Sequence, residues 1–225
     1  MATIISYENR LQMPLNIGSL VEFRRWVGTA EFPSTGRIDF LPHRIEVDMS
    51  PEDIYCHGRI KARISAKLDQ LADQLGLGDV FVDGTRVVVP AAEMSVEPDV
   101  ILVTHASIDE GRVSLVPSAS HKPGRYIEFE GPPDLIVEIV SDGSEEKDLY
   151  RLPLVYYTAG VREYWLVDAR GEELVFQINK RGESAFVLQP LDADGFQTSD
   201  VFGRRFRLDR SRNRIGNWHY VLNDK

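Results

Sequence analysis

Two carboxylates interrupt an apolar run in GPPDLIVEIVSDGS, residues 131–144. Pro132-Pro133 opens the segment and Gly143 closes it, and Leu135, Ile136, Val137, Ile139 and Val140 give the β-branched density of a central strand. Alternation points Asp134, Ile136, Glu138 and Val140 to one side. Acids on the face of a buried strand cost free energy unless a metal ion, a basic partner or a functional cleft meets them. A second Pro-Asp pair, Pro98-Asp99, opens the apolar run EPDVILV at 97–103. If the two strands pair, Asp99 and Glu138 converge on one end of the sheet. Such a pair suits Mg2+ or Mn2+, hard cations that take oxygen ligands and keep several waters. The ion would orient and acidify a water beside a phosphodiester and stabilise the negative charge that develops. A turn role after proline is the commoner explanation of Asp99; Glu138, in mid-strand, has no such explanation.

The elements that must position these acids follow from pattern. Ser19 with Glu22 forms a capping box ahead of Leu20, Phe23, Trp26 and Val27, which share a helical face. Residues 37–50 read as a strand or a pair of strands broken at Pro42. Ser50 as N-cap and Pro51 in the first turn open the longest helix, whose Ile60, Ile64, Leu68, Leu71 and Leu75 recur at helical spacing until Gly76 stops it. Arg59, Arg63 and Lys67 line another face, either a solvated stripe or an edge turned toward phosphates. Asp83-Gly84 predicts a hairpin between 81–82 and 87–89, 97–103 is a strand, 104–124 a Ser/Gly/Pro-rich loop, and RYIEFE a short edge strand. EKDLYRLPLVYYTAG is a helix ended by Gly160 and kinked or divided at Pro153. REYWLVD (162–168) is a strand, and EELVFQI, SAFVLQP and RRFRLD predict a β-rich tail. The fold class expected is α/β or α+β. The organisation expected is an arm over 1–18, a domain over 19–185 and a C-terminal β extension over 186–225 packed on the same domain.

Composition narrows the functions. The chain has 225 residues with 35 acidic and 26 basic side chains, a net charge of −9, which argues against sequence-blind nucleic-acid affinity while leaving room for a local basic surface. The single cysteine, Cys56, forms no intrachain disulfide and suits a reducing compartment. The first residues lack the basic and apolar regions of a signal peptide, and no apolar run reaches membrane-spanning length, so a soluble cytoplasmic protein with no membrane partner is expected. Zinc-ligand spacing, a phosphate-binding glycine loop with its trailing Lys-Ser/Thr, and a G-x-S-x-G elbow are all absent from the sequence.

EPDVILV, PPDLIVEIVS, Asp148 followed by Tyr156, and GVREYWLVD, in this order, resemble the "putative restriction endonuclease" family of the PD-(D/E)XK nuclease superfamily, over roughly residues 20–185. The resemblance implies a restriction-endonuclease-like core, a central mixed β-sheet flanked by helices. It implies a Mg2+- or Mn2+-dependent endonuclease with DNA as substrate, Asp99 as first metal-binding acid, Glu138 as the acid of the E-x-K element, and Asp134 and the Ile139 carbonyl close by. Asp148 and Tyr156 match positions that typify the family. The chain departs from the pattern at the lysine: Val140 stands two residues after the acid, and Leu152 stands four residues after Asp148, where many relatives carry a replacement. Lys147 and Arg151 are the nearby cations that could approach a scissile phosphate. His57 lies near a family histidine, although packing or capping is the commoner role. Glu46 or Asp48 could add a third acid, Arg59 and Lys61 could touch DNA phosphate, and His105 shares the parity of Asp99. Cutting both strands of a duplex needs two active sites, so a homodimer is expected. The alternative is a catalytically degenerate nuclease fold retained for DNA binding or protein interaction.

Overall fold

Every residue of Leu135–Ile139 is buried, as a strand apolar on both faces must be, and the rest of the molecule is layered around it. The computed structural model describes residues 4–7, 11–14, 16–118 and 122–225. In chain order the elements are β1 (Ile4–Tyr7), β2 (Leu11–Pro14), α1 (Leu20–Val27), β3 (Arg37–Leu41), β4 (Arg44–Asp48), a π-helical turn (Ile54–Gly58) leading into α2 (Arg59–Leu75), β5 (Gly78–Val82), β6 (Arg86–Val89), a 3-10 turn (Pro90–Ala92), β7 (Met94–Val96), β8 (Val100–Thr104), α3 (His105–Asp109), β9 (Ser114–Pro117), β10 (Tyr126–Glu130), β11 (Leu135–Ile139), a second π-helical turn (Lys147–Arg151) leading into α4 (Leu152–Ala159), β12 (Glu163–Asp168), β13 (Val175–Arg181), β14 (Phe186–Leu188), β15 (Gln197–Ser199), β16 (Arg204–Arg212) and β17 (Trp218–Asp224).

The central sheet has the order β14-β13-β12-β11-β8-β5 and is mixed: β11 and β12 run parallel and the other neighbours antiparallel. One of its faces carries Leu135, Val137 and Ile139 onto Ile60, Ile64 and Leu68 of α2, and the same cluster takes in Phe206, Leu208, Tyr220 and Leu222 of the third sheet, β15-β16-β17. The other face carries Ile136 and Val140 onto Leu152 and Tyr156 of α4 and onto Val87, Val89, Met94 and Val96 of the second sheet, β4-β3-β7-β6-β10-β9. A third cluster joins α1, through Phe23 and Trp26, to Ile38, Phe40 and Val88. This is a mixed α/β architecture with helices against the sheets and a C-terminal β-sheet.

Four local expectations change. The helix after Ser50 opens at Asp53, whose carboxylate accepts from the Tyr55 and Cys56 amides, whereas the Ser50 hydroxyl turns to Asp48. Asp83-Gly84 does not close a hairpin: β5 pairs with β8 in the central sheet while β6 pairs with β7 and β10 in the second, so this turn carries the chain between layers. The expected loop 104–124 contains α3 and β9, with the Thr104 side chain accepting from the Ser107 amide as helix cap. That β9 covers β10, which is therefore not an edge strand.

Candidate active site

Strands β8 and β11 pair antiparallel with Leu135 opposite Leu102, Ile136 opposite Ile101 and Val137 opposite Val100. Continuing that register by one pair sets Asp99 opposite Glu138, a relation in which Cβ atoms lie about 5 Å apart. The ladder ends there, and Asp99 closes it: its Oδ2 accepts the Ile139 amide at 2.7 Å. Both carboxylates are buried, at 0% and 1% exposure.

The surroundings of the two acids differ. Around Asp99, Arg37 Nη2 reaches Oδ1 at 2.7 Å, Lys61 Nζ lies 3.3 Å from Oδ1 and His57 Nε2 lies 3.3 Å from Oδ2. Glu52 sits 3.2 Å from His57 Nδ1 and 2.9 Å from Lys61, which also pairs with Asp83 at 2.7 Å. Burial would raise the Asp99 carboxyl, but His57, Arg37 and Lys61 outweigh it and hold the group well below the ordinary range. Burial likewise opposes charge on His57, yet Asp99 and Glu52 raise its pKa to about 9.

Among the described residues the Tyr156 hydroxyl, 2.5 Å from Oε1, is the only donor to Glu138, and none reaches Oε2. Burial first, then the charges of Asp99 and Asp148, push Glu138 up to about 8. Asp148 receives the Ser144 hydroxyl on Oδ2, its Oδ1 has no protein donor, and burial leads its rise to about 6. Lys147 Nζ binds Asp39 at 2.9 Å, and Asp148 and Glu138 add to the field that keeps this buried ammonium charged.

The second π-helical turn explains how Lys147 gets there. Its closing hydrogen bond runs from the Leu152 amide to the Lys147 carbonyl, five residues apart rather than four. The wide turn stacks position 147 over position 152 on the helix face that also presents Tyr156. The ammonium therefore enters from one turn above the position where the resemblance expects it, while Leu152 itself packs in the apolar core.

Other expected residues fall elsewhere. Asp134, four residues along β11, is sealed at the opposite end: its carboxylate takes the Thr104 amide at 2.9 Å, the Ser107 hydroxyl at 2.8 Å, Arg112, and Arg162 at 3.2 Å. It is a structural knot and not a third acid beside Glu138. Asp134→Ala is expected to cost about 3 kcal/mol, because it strands a buried amide and two guanidinium groups; chemical denaturation checks this, with divalent-ion binding unchanged. Arg151 pairs with Glu46 at 2.9 Å and Glu146 at 2.7 Å, so neither Arg151 nor Glu46 joins the buried cluster. Lys61 points inward to Asp99 and is not available on the surface, whereas Arg59 is half-exposed on α2. Asp48 receives the Ser50 amide, and the exposed His105 lines a different cavity beside Phe81 and Tyr126. The sequence reading missed Arg37 and Asp39, although RIDFL carries the same signal as LIVEI: a charged residue inside an apolar strand. It also missed Glu52 and Asp83, surface-type acids in turns with no local mark of their role.

A divalent cation fits this chemistry. Among the described residues no donor satisfies the buried oxygens Glu138 Oε2 and Asp148 Oδ1, and Asp99 faces Glu138 across the register. Glu52, His57 and Asp99 also offer one ligand atom each within 4.8 Å of one another. A cavity of about 370 Å³ lined by Ser50, Cys56, His57, Val140, Ser141 and Arg170 opens against this cluster.

The protonation pattern fixes a pH dependence. Glu138, Asp148 and His57 all hold protons more tightly folded than unfolded, whose ordinary values are 4.5, 3.8 and 6.5. Their contribution is therefore complete at low pH and lost as pH rises toward about 8, 6 and 9 respectively. The depressed Asp99 and Glu52 act oppositely and lose theirs as pH falls below the usual carboxylate range. Thermal melting of the metal-free protein is expected to peak near pH 5 and fall steadily to pH 9. A flat profile across that window would contradict the assignments.

The fold agrees with the comparisons. Residues 20–209 match the family model Uma2, "Putative restriction endonuclease". The chain belongs to that family, and so to the restriction-endonuclease-like proteins of PD-(D/E)XK type. Among solved structures it is similar to "a putative nuclease belonging to DUF820" from Anabaena variabilis ATCC 29413, at 16% identity and TM-score 0.60, covering 82% of this chain and 90% of that one. At that identity the likeness concerns the fold. No curated protein matches the chain. Among the described residues no helix is long and apolar enough to cross a membrane.

Proposed function

We propose that this protein is a divalent-metal-dependent endonuclease that hydrolyses phosphodiester bonds of DNA. The observation that carries the proposal is the Asp99–Glu138 pair: two buried acids on neighbouring strands, in register, with one carboxylate oxygen left free of protein donors. Asp99 and Glu138 would hold Mg2+ or Mn2+, with Asp148 on the Glu138 side and His57 on the Asp99 side. When bound, the ion supplies Lewis acidity and an acidified water. The Ile139 amide and Arg37 fix the Asp99 carboxylate in one orientation, and Tyr156 fixes Glu138. Lys147 places an ammonium beside Glu138 without solvent competition, where it can stabilise charge developing on the phosphate. Two such sites in a cytoplasmic homodimer would cut both strands of a duplex. Supercoiled plasmid incubated with Mg2+, Mn2+ or EDTA tests the proposal. Nicking or linearisation is expected in the first two and none in the third; no cleavage in either metal contradicts it.

A second function rests on a specific observation: both Asp99 oxygens already have protein partners, and an apolar leucine occupies the position of the replacement lysine. A chain so neutralised could serve as a nuclease-fold module that binds DNA or protein without cutting. Binding that is identical in Mn2+ and EDTA, with no cleavage in either, distinguishes it.

A further inference from the structure

In an acidic chain, positive charge is concentrated at the C-terminus. Residues 204–225 hold six arginines and Lys225 against Asp209 and Asp224. Some of these cations are neutralised: Arg204 pairs with Asp224, Arg205 with Asp192, Arg207 with Asp209 and Lys225 with Asp194. The others gather toward the β16–β17 turn. Among the described residues no carboxylate pairs with Arg210, Arg212 or Arg214, nor with Arg59 and Arg63 on the adjoining face of α2.

Arg210 and Arg212 lie on β16, Arg214 on the turn that follows it, and Arg59 and Arg63 on α2, which packs against β17. Phe206, Leu208, Arg210 and Arg212 alternate onto the same side of β16. The first two are core, and the next two run on past the core edge. There Arg210 lies 4.1 Å and Arg212 3.4 Å from the centre of the Trp218 ring. Arg210 is anchored by the carbonyls of Gly171, at 3.2 Å, and Glu172. Across β17, Arg63 and Lys67 share a cleft of about 430 Å³ with His219 and Asn223, and Arg59 precedes Arg63 by one helical turn. The surface ends at the candidate active site. Strand β17 packs beside the Ile54–Gly58 turn, and Cys56 of that turn lines the same cavity as His57, which touches Asp99.

We infer that the β16–β17 hairpin and the facing edge of α2 form the track that holds the sugar-phosphate backbone of the polynucleotide, delivering it to the cavity beside His57. The inference rests on the nuclease proposal for its substrate class. Guanidinium forks match phosphate geometry, and the Trp218 ring holds two of them in place. The acidic net charge of the chain disfavours approach from other sides, which helps to orient the polynucleotide.

The test is fluorescence anisotropy of a labelled 20-base-pair duplex with the full chain in EDTA, over 50–200 mM salt. Arg63→Ala/Arg212→Ala/Arg214→Ala is compared with wild type, with circular dichroism confirming that each is folded. The triple variant is expected to bind at least ten-fold more weakly at 50 mM salt, with a log–log salt slope shallower by about 3, near 0.9 per lost phosphate contact. Equal affinity and equal slope overturn the track, as does a wild-type chain that binds no duplex at 50 mM salt. The two proposals fail separately. Wild-type protein that binds through these arginines but cuts nothing in Mn2+ sinks the nuclease proposal and keeps the track. Cleavage by wild type, with an unchanged slope in the triple variant, does the reverse.

Discussion

Glu138→Gln is expected to lower plasmid cleavage in Mn2+ by at least three powers of ten while making the metal-free protein more stable at pH 8. The two effects have one cause. Glu138 is buried, lies in the field of Asp99 and Asp148, and is raised to about 8; the proposed function gives it a cation to hold. Without the cation, ionising this carboxylate works against folding, because burial and two like charges oppose it. Glutamine keeps the shape and still accepts the Tyr156 hydroxyl, but carries no charge. At pH 8 it should stabilise the protein by about 2 kcal/mol, a rise in melting temperature of roughly 5 °C. At pH 4, below the unfolded value of 4.5, the two proteins should melt nearly together. The lost anionic ligand removes several kcal/mol of transition-state stabilisation, hence the loss of cleavage. Differential scanning calorimetry at the two pH values, beside a cleavage assay, reads both. A variant that is less stable at pH 8 would mean that Glu138 is a satisfied structural acid.

Lys147→Met is the second large effect, and it separates fold from chemistry. The substitution leaves Asp39 buried without its ammonium, which should cost about 3–5 kcal/mol. It also removes the cation beside Glu138, and cleavage should fall a further 10²–10³-fold even at temperatures where the variant is folded. Adding Asp39→Asn removes the stranded charge. The double variant should therefore recover most of the stability and none of the activity. Recovery of both would show that Lys147 serves only to neutralise Asp39, and that the missing lysine of the family pattern has no replacement here. Lys147→Arg is expected to retain part of the activity, since the charge survives but the planar guanidinium fork does not fit the buried place of a compact ammonium.

The legibility of this site in the sequence follows from how local each signal is. Glu138 and Asp99 stand out because proline pairs mark the strand starts and two-residue alternation fixes the faces; only their antiparallel register then has to be supplied by the fold. Asp39 and Arg37 carry a similar mark, but they reach the site from a strand in another sheet, a relation no local pattern contains. Lys147 was visible as a nearby cation. What brings it inward, a turn closed by a hydrogen bond five residues apart, goes with the packing of Leu152 and Tyr156 against β11 and not with helix propensity. Asp83-Gly84 is a good turn whose flanking strands find better partners in different sheets, so tertiary pairing overrode the hairpin signal. Asp134 shows the converse limit. Its alternation parity with Glu138 is correct, but parity fixes the face of a strand and not the end, and the partners that seal it arrive from the end of β8, from α3 and its following loop, and from Arg162 ahead of β12.

The central claim is that Asp99 and Glu138 share one divalent cation. Anomalous diffraction from a crystal of this protein grown with Mn2+ tests it directly. A manganese peak about 2.1–2.3 Å from a carboxylate oxygen of each residue is predicted, with Arg37 drawn away from Asp99. Manganese bound only among Glu52, His57 and Asp99, or no peak while Arg37 stays on Asp99, would contradict it.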